Sequence, residues 1–387
     1  MFRTAAPRRR LVLAALAFLA GAGLARADAA KTFGTREVTV KVDTIARGLV
    51  HPWSVAVLPD GAYLVTERPG RLRIVRDGTV SAPIEGLPAI AARGQGGLLD
   101  VELDPGFSAN RRLFFTASVA GDGGIGTAVF RAELSPDGAR LSNVRRIFVM
   151  NRLTQGGLQF GSRIAIGKDG SLFVSLGDRG EMDRAQDPHD DAGSIIHINA
   201  DGSIPADNPF RDGMKALPEI WSKGHRNPQG ITFDTADGAL YTCEHGARGG
   251  DEINNPLPGR NYGWPVITYG RDYSGAKIGV GTAKAGMEQP LFYWDPSIAP
   301  GAIAIYRGPM FPEWNGDFLV TALKFQLLSR LQRDAAGKIV ERERLFGGAF
   351  GRLRDIVVAP DGALLITTDE EDGALLRVSR AGPAPTP

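Results

Sequence analysis

Residues 354–368 read Arg354-Asp-Ile-Val-Val-Ala-Pro-Asp-Gly-Ala-Leu-Leu-Ile-Thr-Thr368, two apolar, β-branched runs on either side of an Asp-Gly pair. Asp-Gly suits a tight hairpin turn, because glycine tolerates positive φ. We therefore predict a β-hairpin turning at Pro360-Asp-Gly362. The same arrangement recurs at Pro59-Asp-Gly61, Lys168-Asp-Gly170 and Ala236-Asp-Gly238.

Short runs of this kind continue outward from the hairpin in both directions, without a linker between Lys31 and Arg380. Further examples are Ala62–Thr66, Arg112–Thr116, Ser171–Leu176, Ala239–Thr242 and Phe318–Thr321. Runs bounded by turn residues are typical of strands, and a repeated hairpin unit indicates an all-β propeller. At about 50 to 60 residues per blade the chain holds six or seven blades. An all-β sandwich, or a pair of them, is the alternative.

The N-terminus has the features of a secretory signal peptide. Arg8–Arg10 form a positive segment, Leu11–Leu24 is almost wholly apolar, and Ala25-Arg26-Ala27 supplies small residues at a cleavage site. We predict a cleaved signal peptide over residues 1–27, one propeller over 28–381 and a disordered, proline-rich tail over 382–387. A periplasmic or secreted protein without a membrane span follows; an uncleaved N-terminal anchor is the alternative, and the paired arginines also permit twin-arginine export.

Charge and cysteine content narrow the function classes. The 387 residues include 45 basic and 43 acidic ones, but residues 1–27 hold five arginines and no acid, so the mature chain has a net charge of −3. No basic run remains that could follow a phosphate backbone, which argues against nucleic acid as a partner. Cys243 is the single cysteine, so an internal disulfide and a CxxCH haem attachment are both excluded.

Three polar clusters follow predicted strands. The first, Gly94–Asp100, offers Gln95 among glycines, and a flexible turn is its simplest interpretation. The second combines four neighbouring segments: 224–230, 243–247, 250–254 and 261–265. Its arginine and asparagine can bind a planar, oxygen-rich anion, and turn carbonyls with nearby carboxylates suit Ca²⁺. A solvated loop is the alternative for this cluster.

The third cluster contains Lys324, Arg352 and Arg354. The two arginines lie two residues apart, so on a strand they face the same side and repel unless an anion lies between them. A salt bridge to Asp355 or Asp317 would solve this, and so would a polyanionic ligand. The pattern alone leaves both open.

These residues carry a family resemblance that spans nearly the whole mature chain. The chain resembles the soluble aldose sugar (glucose/sorbosone-type) dehydrogenases that depend on pyrroloquinoline quinone (PQQ). The shared motifs are His51-Pro-Trp53, Gly94–Leu99, Phe160–Arg163, Leu176–Asp178, His225–Gly230, Asp251–Asn254, Asn261–Pro265, Pro296–Pro300 and Arg352–Asp355. The most specific are His225-Arg-Asn-Pro-Gln-Gly230 and Asn261-Tyr-Gly-Trp-Pro265.

The resemblance implies a six-bladed propeller that holds PQQ on its top face and oxidises aldoses at C1 to the lactone. The electrons would pass to an external acceptor such as a quinone, a cytochrome or a dye. The positions that match cofactor contacts are Gln95, Asp178, Gln186, Arg226, Asn227, Tyr293, Trp294, Lys324, Arg352 and Arg354. The carbonyls of Gly246 and Ala247 match Ca²⁺ ligands, with alanine where proline is usual. Arginine and lysine complement the three carboxylates of PQQ, and Ca²⁺ would polarise a quinone carbonyl.

The pattern breaks at Gln159, which stands where the resemblance implies a general-base histidine acting together with Arg226. An amide cannot hold the proton, and loss of a positioned base typically costs about 10²- to 10⁴-fold in rate. His189 would replace it only if its loop folds inward. Three interpretations stay open: a slow or differently assisted dehydrogenase, a non-catalytic PQQ- or carbohydrate-binding propeller, and an engineered variant. A Ca²⁺-dependent lactonase recruiting carboxylates such as Asp178, Glu244, Asp251 and Glu252 is a further alternative.

Overall fold

The computed structural model describes residues 1–2 and 29–383. Strands make up nearly all of its regular structure, together with a short α-helix, α1 (Phe107–Asn110), and 3₁₀ helices at Met182–Gln186 and Pro312–Trp314. The strands are β1 (Lys31–Gly34), β2 (Val38–Leu49), β3 (Pro52–Val57), β4 (Tyr63–Glu67), β5 (Arg71–Arg76), β6 (Thr79–Val80), β7 (Leu98–Leu103), β8 (Arg112–Gly121), β9 (Gly124–Leu134), β10 (Leu141–Val149), β11 (Gly161–Ile166), β12 (Leu172–Leu176), β13 (Ser194–Ile198), β14 (Ile220–Lys223), β15 (Pro228–Phe233), β16 (Leu240–Glu244), β17 (Asp251–Asn254), β18 (Phe292–Trp294), β19 (Pro300–Ile305), β20 (Phe318–Ala322), β21 (Leu327–Arg333), β22 (Ile339–Leu345), β23 (Leu353–Val358), β24 (Leu364–Thr368) and β25 (Gly373–Pro383).

These strands form six antiparallel sheets arranged as a six-bladed β-propeller, which confirms the predicted fold. Blades 1 to 5 are the consecutive meanders β3–β6, β7–β10, β11–β14, β15–β18 and β19–β22. Blade 6 has five strands in the order β1-β2-β25-β24-β23. The first strands of adjacent blades contact one another around the ring, so β3, β7, β11, β15, β19 and β23 surround the central channel.

Blade 6 closes the ring by joining the two ends of the described chain. Strand β2 pairs antiparallel with β25, with Val42 opposite Val378. This pairing holds the ring closed, while each blade keeps a short outer edge strand, as is usual in β-propellers. Gly382 and Pro383, the start of the predicted tail, belong to β25. Residues 384–387 of that tail and residues 3–27 of the predicted signal peptide lie outside the described residues.

The four Asp-Gly turns lie where the sequence predicts them. Each connects the first and second strands of a blade, in blades 1, 3, 4 and 6. Their glycines have φ of +86°, +82°, +76° and +86° at Gly61, Gly170, Gly238 and Gly362. Residues with a side chain are strained at such angles, so the turn chemistry fixes where each hairpin reverses.

Arg163 of β11 extends from the ring of inner strands into contact with residues of the neighbouring blades. Its Nη1 is 2.9 Å from Oδ1 of Asp100 and 2.9 Å from Oδ1 of Asp355. Its guanidinium also stacks over the ring of Trp53, 4.1 Å from the centroid. A guanidinium between two buried carboxylates ties three blades together at the axis. Among the described residues, no helix is long and apolar enough to cross a membrane.

Candidate functional site

A cavity of about 700 Å³ opens where the six inner strands begin. Its floor includes Trp53, Leu99, Gly161 and Gln229, which lie in the first residues of β3, β7, β11 and β15. We call it the upper cavity; Arg163 separates it from a smaller cavity, about 400 Å³, at the opposite ends of the strands. Its size falls within the range of small-molecule sites. The predicted site residues that line it are Gln95, Asn227, Arg352 and Arg354.

The two arginines of blade 6 both reach the upper cavity but have different partners. Arg354 pairs with Asp369, at 3.2 Å from Nε to Oδ2, and donates to Oε1 of Gln229 at 2.7 Å. The salt-bridge alternative named Asp355 or Asp317 as the partner, but Asp355 pairs with Arg163 and Asp317 with Arg330. Strand β24 ends beside β23 at the cavity and brings Asp369 close instead.

Glu370 and Glu244 accept hydrogen bonds from the backbone N–H groups of Arg352 and Arg226. The guanidinium groups of these two arginines and the ammonium group of Lys324, however, have no carboxylate within 4 Å among the described residues. The Arg352 guanidinium has one long contact, 3.4 Å from Nη1 to the carbonyl of Leu323. Lys324 is exposed beside the cavity, next in sequence to the lining residue Leu323. Three cationic side chains without carboxylate partners lie near one cavity, where each could bind a carboxylate of an anionic ligand.

The loop before β15 holds Arg226 and Asn227 through a buried hydrogen-bond network. Nδ1 of His225 lies 2.9 Å from Oε1 of Glu244, and the backbone N–H of Arg226 donates to Oε2 of Glu244 at 2.8 Å. Burial raises the pKa of Glu244, but the charge of His225 and these hydrogen bonds outweigh it and lower that pKa. Asn227 Oδ1 accepts from the backbone of Gly161 at 3.1 Å. Blades 3 and 4 therefore fix this loop together.

The predicted Ca²⁺ ligands lie on the turn that follows β16. Nη1 of Arg226 donates to the carbonyls of Gly246 and, at 3.3 Å, His245. The backbone N–H of Gly246 donates to Asp251 Oδ1 at 2.8 Å, which holds the turn. A Cβ at Gly246 would lie 2.2 Å from the carbonyl oxygen of Gly250, so glycine is required here. The carbonyl of Ala247 accepts a long hydrogen bond from Ser297 Oγ at 3.4 Å.

Side-chain carboxylates do not form a separate metal cluster in the described part of the chain. No three His, Cys, Asp or Glu side chains are placed there to hold a metal ion together. Asp178 is buried and bound by Trp264 Nε1 and the backbone of Gly180, each at 2.8 Å. Burial raises the pKa of Asp178. The carboxylate cluster required by the lactonase alternative is therefore not found among these residues.

Gln159 lies beside the cavity, between the lining residues Gln95 and Phe160. Its backbone N–H donates to Gln95 Oε1 at 2.7 Å. Its side chain is 7% exposed, and its Oε1 atom is buried without a hydrogen-bond partner. A buried unsatisfied acceptor is costly, which makes Oε1 a suitable partner for a hydroxyl or N–H donor of a ligand.

Six predicted cofactor contacts do not line the upper cavity: Asp178, Arg226 and Lys324, described above, and Gln186, Tyr293 and Trp294. Gln186 is engaged with the 261–264 loop, donating to Trp264 O at 2.6 Å and accepting from Asn261 Nδ2 at 2.8 Å. Tyr293 is 44% exposed and stacks on Tyr269 at 3.9 Å. Trp294 is 2% exposed and packs in the core between blades 4 and 5.

His51, by contrast, lines the cavity although no site role was predicted for it. Its Nδ1 is 2.8 Å from Oδ1 of Asp369, and its side chain is 26% exposed. The other lining histidine is His245, whose Nε2 lies 2.8 Å from the carbonyl of Pro300. Burial and the nearby charge of Arg226 lower the pKa of His245 to about 3. The shared His51-Pro-Trp53 motif was the one sequence feature that pointed to His51. The sequence could not show its contact with Asp369, because the two residues are 318 positions apart.

Comparison with known proteins gives a consistent result. The family model described as Glucose / Sorbosone dehydrogenase matches residues 49–377. Aldose sugar dehydrogenase YliI of Escherichia coli is 42% identical over 348 residues, covering 88% of this chain and 93% of that protein.

Two solved structures of aldose sugar dehydrogenases are also similar to this chain. The apo form of the soluble aldose sugar dehydrogenase from Escherichia coli has a TM-score of 0.85 at 41% identity, covering 88% of this chain and 99% of that one. The PQQ-bound aldose sugar dehydrogenase of Streptomyces coelicolor has a TM-score of 0.73 at 25% identity, covering 90% of this chain and all of that one. The chain therefore belongs to the glucose/sorbosone dehydrogenase family.

Proposed function

We propose that this protein binds PQQ and Ca²⁺ at the upper cavity and oxidises aldose sugars at C1 to lactones. The observation that carries the proposal is the set of cations around this cavity. The side-chain cations of Arg226, Lys324 and Arg352 have no carboxylate partner within 4 Å among the described residues, and PQQ has three carboxylates. Hydrogen bonds between a guanidinium group and a carboxylate are stronger than those between neutral groups. The unpaired cations therefore favour PQQ over a neutral ligand.

Two buried polar atoms provide a further test of whether PQQ fits these residues. Gln159 Oε1 and Arg226 Nε are buried without hydrogen-bond partners. Polar atoms of this kind are normally satisfied, and a polar ligand in contact with both would remove the cost. Gln95 and Asn227 add amide groups from blades 2 and 4 to the same cavity. The residues present therefore suit a polar, anionic ring system.

We assign the predicted Ca²⁺ site to the carbonyls of Gly246 and Ala247. The Arg226 guanidinium already lies against the Gly246 carbonyl, so this turn presents oxygen atoms to a cation. Ca²⁺ accepts such backbone oxygens readily. When bound, PQQ would supply an electrophilic ortho-quinone that accepts hydride, and Ca²⁺ would polarise it.

The sugar would occupy the part of the cavity that is rich in acceptors. Glu370, Glu371 and Asp372 line one wall, and carboxylates accept hydrogen bonds from sugar hydroxyls. Gln159 Oε1 can accept a hydroxyl hydrogen but cannot retain the proton. We propose a periplasmic or secreted location, supported by the signal-peptide features, and an external electron acceptor such as a quinone, a cytochrome or a dye.

The test is a PQQ titration of the purified protein with and without Ca²⁺, followed by dye reduction with a panel of aldoses. We expect saturable PQQ binding and aldose-dependent dye reduction. Binding without turnover by any aldose would support the alternative, a non-catalytic PQQ- or carbohydrate-binding propeller. Absence of PQQ binding in the presence of Ca²⁺ would refute the cofactor assignment.

A further inference from the structure

Oxidation of an aldose at C1 removes a hydride from carbon and a proton from the anomeric hydroxyl. The reaction therefore needs a group that accepts a proton at the cavity, and the amide of Gln159 cannot do so. A histidine is the usual general base near neutral pH. The chain has five histidines, all within the described residues.

Three of these histidines are placed where they cannot act as the general base. His189 is exposed on the loop after the 3₁₀ helix and does not line the upper cavity, so its loop does not fold inward. His197 is buried, with Asn208 Oδ1 at 2.6 Å and Ser171 Oγ at 2.8 Å from its two ring nitrogens. His225 has both ring nitrogens bonded, to Glu244 and Ser222. His51 and His245 remain.

The surroundings of these two histidines differ in charge. His245 faces the guanidinium groups of Arg226, Arg354 and Arg352, which would repel an imidazolium. His51 contacts the carboxylate of Asp369, and this negative charge would stabilise an imidazolium. Burial raises the pKa of Asp369, but the charge and hydrogen bonds of Arg354 outweigh it and hold that pKa well below its ordinary value, so Asp369 stays ionised.

The hydrogen bond to Asp369 also sets the tautomer of His51. An ionised carboxylate only accepts, so Nδ1 carries the hydrogen and Nε2 keeps its lone pair. No hydrogen bond to Nε2 is found among the described residues, and the imidazole is open to the cavity. A general base typically has this arrangement: one ring nitrogen is free to accept a proton, and a carboxylate bonded to the other nitrogen orients the ring.

The backbone of His51 is fixed by blades 6 and 1. Its N–H donates to the carbonyl of Glu370 at 2.7 Å, and its carbonyl accepts from the N–H of Arg68 at 3.0 Å. Its φ of +47° is uncommon for a residue with a side chain. The charged side chains near the imidazole are Asp369, Arg354, Arg68 and, along the same wall, Glu370 to Asp372.

We propose, on the basis of the proposed sugar oxidation, that His51 is the general base and Asp369 its positioning residue. Nε2 accepts the proton of the anomeric hydroxyl while the C1 hydrogen leaves with its electron pair to the ortho-quinone of the cofactor. The C1–O bond becomes the lactone carbonyl. The imidazolium, held against Asp369, then releases its proton to water.

The first test needs no cofactor. Diethyl pyrocarbonate modifies unprotonated imidazole, and mass spectrometry locates the modified residues. In the protein without added PQQ we expect His51 to react much faster than the doubly bonded His197 and His225, with exposed His189 as the reactive reference. PQQ with Ca²⁺ should slow the reaction at His51 and not at His189. A His51 as unreactive as His225 would refute a free Nε2.

The second test compares His51→Gln with the matched control His189→Gln. We expect His51→Gln to keep PQQ affinity and to lose about 10²- to 10⁴-fold in kcat, whereas His189→Gln behaves as wild type. Added imidazole should restore activity to His51→Ala, and Gln159→His should restore it to His51→Gln by supplying a base from another position. A purely structural role would show neither rescue. Asp369→Asn should lower kcat when His51 is present and have little further effect in His51→Gln, because Asp369 acts through His51.

The outcomes separate this inference from the proposed function. A wild-type protein that does not bind PQQ refutes both. A wild-type protein that binds PQQ and turns over, with His51→Gln equally active at every pH, refutes the assignment of His51 alone. A wild-type protein that binds PQQ but oxidises no aldose also refutes the assignment of His51, because the proposed base would then be present without effect.

Discussion

Arg226 donates a hydrogen bond from Nη1 to the carbonyl oxygen of Gly246. That carbonyl is one of the two proposed Ca²⁺ ligands, and Arg226 is one of the proposed PQQ contacts. A cation on the turn would compete with the guanidinium for this oxygen. The proposed calcium and cofactor sites would therefore be coupled through a single side chain.

This coupling predicts that Ca²⁺ strengthens PQQ binding, because it frees Arg226 to face the cofactor. Removing Ca²⁺ with a chelator should weaken PQQ binding by about 5- to 150-fold, the usual range of coupling between sites. Arg226→Gln should reduce this difference, whereas Arg248→Gln, an exposed change on the same turn, should leave it intact. Equal PQQ affinity with and without Ca²⁺ would contradict the coupling. Isothermal titration calorimetry provides the measurement.

Arg352 should contribute directly to PQQ affinity, because its guanidinium has no carboxylate partner within 4 Å among the described residues. A hydrogen bond to a charged group is worth about 1.5–3 kcal/mol, so Arg352→Gln should weaken PQQ binding by roughly 10- to 150-fold. Arg140→Gln, at a position whose side chain is 68% exposed and paired with Glu85, serves as the control. Cofactor fluorescence titrations at two salt concentrations should show a smaller salt dependence for Arg352→Gln. An unchanged affinity would place the cofactor carboxylates elsewhere.

Arg163 should be required for stability, because it neutralises Asp100 and Asp355 inside the channel. Arg163→Met leaves both buried carboxylates without their cation, and breaking such a pair costs about 3–5 kcal/mol. We expect a markedly lower denaturation midpoint in urea, with Arg140→Met close to wild type. A midpoint equal to that of wild type would show that Asp100 and Asp355 are satisfied without Arg163.

Glu252 should make the protein less stable as pH rises. Burial, together with the charge of nearby Glu244, raises the pKa of Glu252 to about 8. Because the unfolded value is about 4.5, the folded protein binds more protons between these two values, and stability falls as pH rises through that window. Glu252→Gln should therefore raise the melting temperature more at pH 9 than at pH 5.

The matched control is Glu85→Gln, at a position whose side chain is 74% exposed. It should show no such dependence on pH, because an exposed carboxylate keeps its solvation in both states. Differential scanning calorimetry at the two pH values provides the measurement. A Glu252→Gln effect of equal size at both would contradict the raised pKa.

The sequence pattern indicated an all-β propeller of six or seven blades, with a sandwich as the alternative, and the structure confirms six blades. Asp-Gly turns at Gly61, Gly170, Gly238 and Gly362 require positive φ, and the runs beside them alternate as strands do, so each hairpin is encoded within about fifteen residues. The family resemblance assigned Gln95, Asn227, Arg352 and Arg354 to one site, and each of them lies at or just before the start of an inner strand.

Only the tertiary structure decided which side chains meet. The partner of Arg354 is Asp369 rather than Asp355, because β24 ends at the cavity where β23 begins, while Asp355 faces Arg163 in the channel. Trp294 packs into the core and His51 meets a carboxylate 318 residues away. Such contacts depend on ring closure and blade packing, which bring distant segments together, and no local pattern in the sequence encodes those distances.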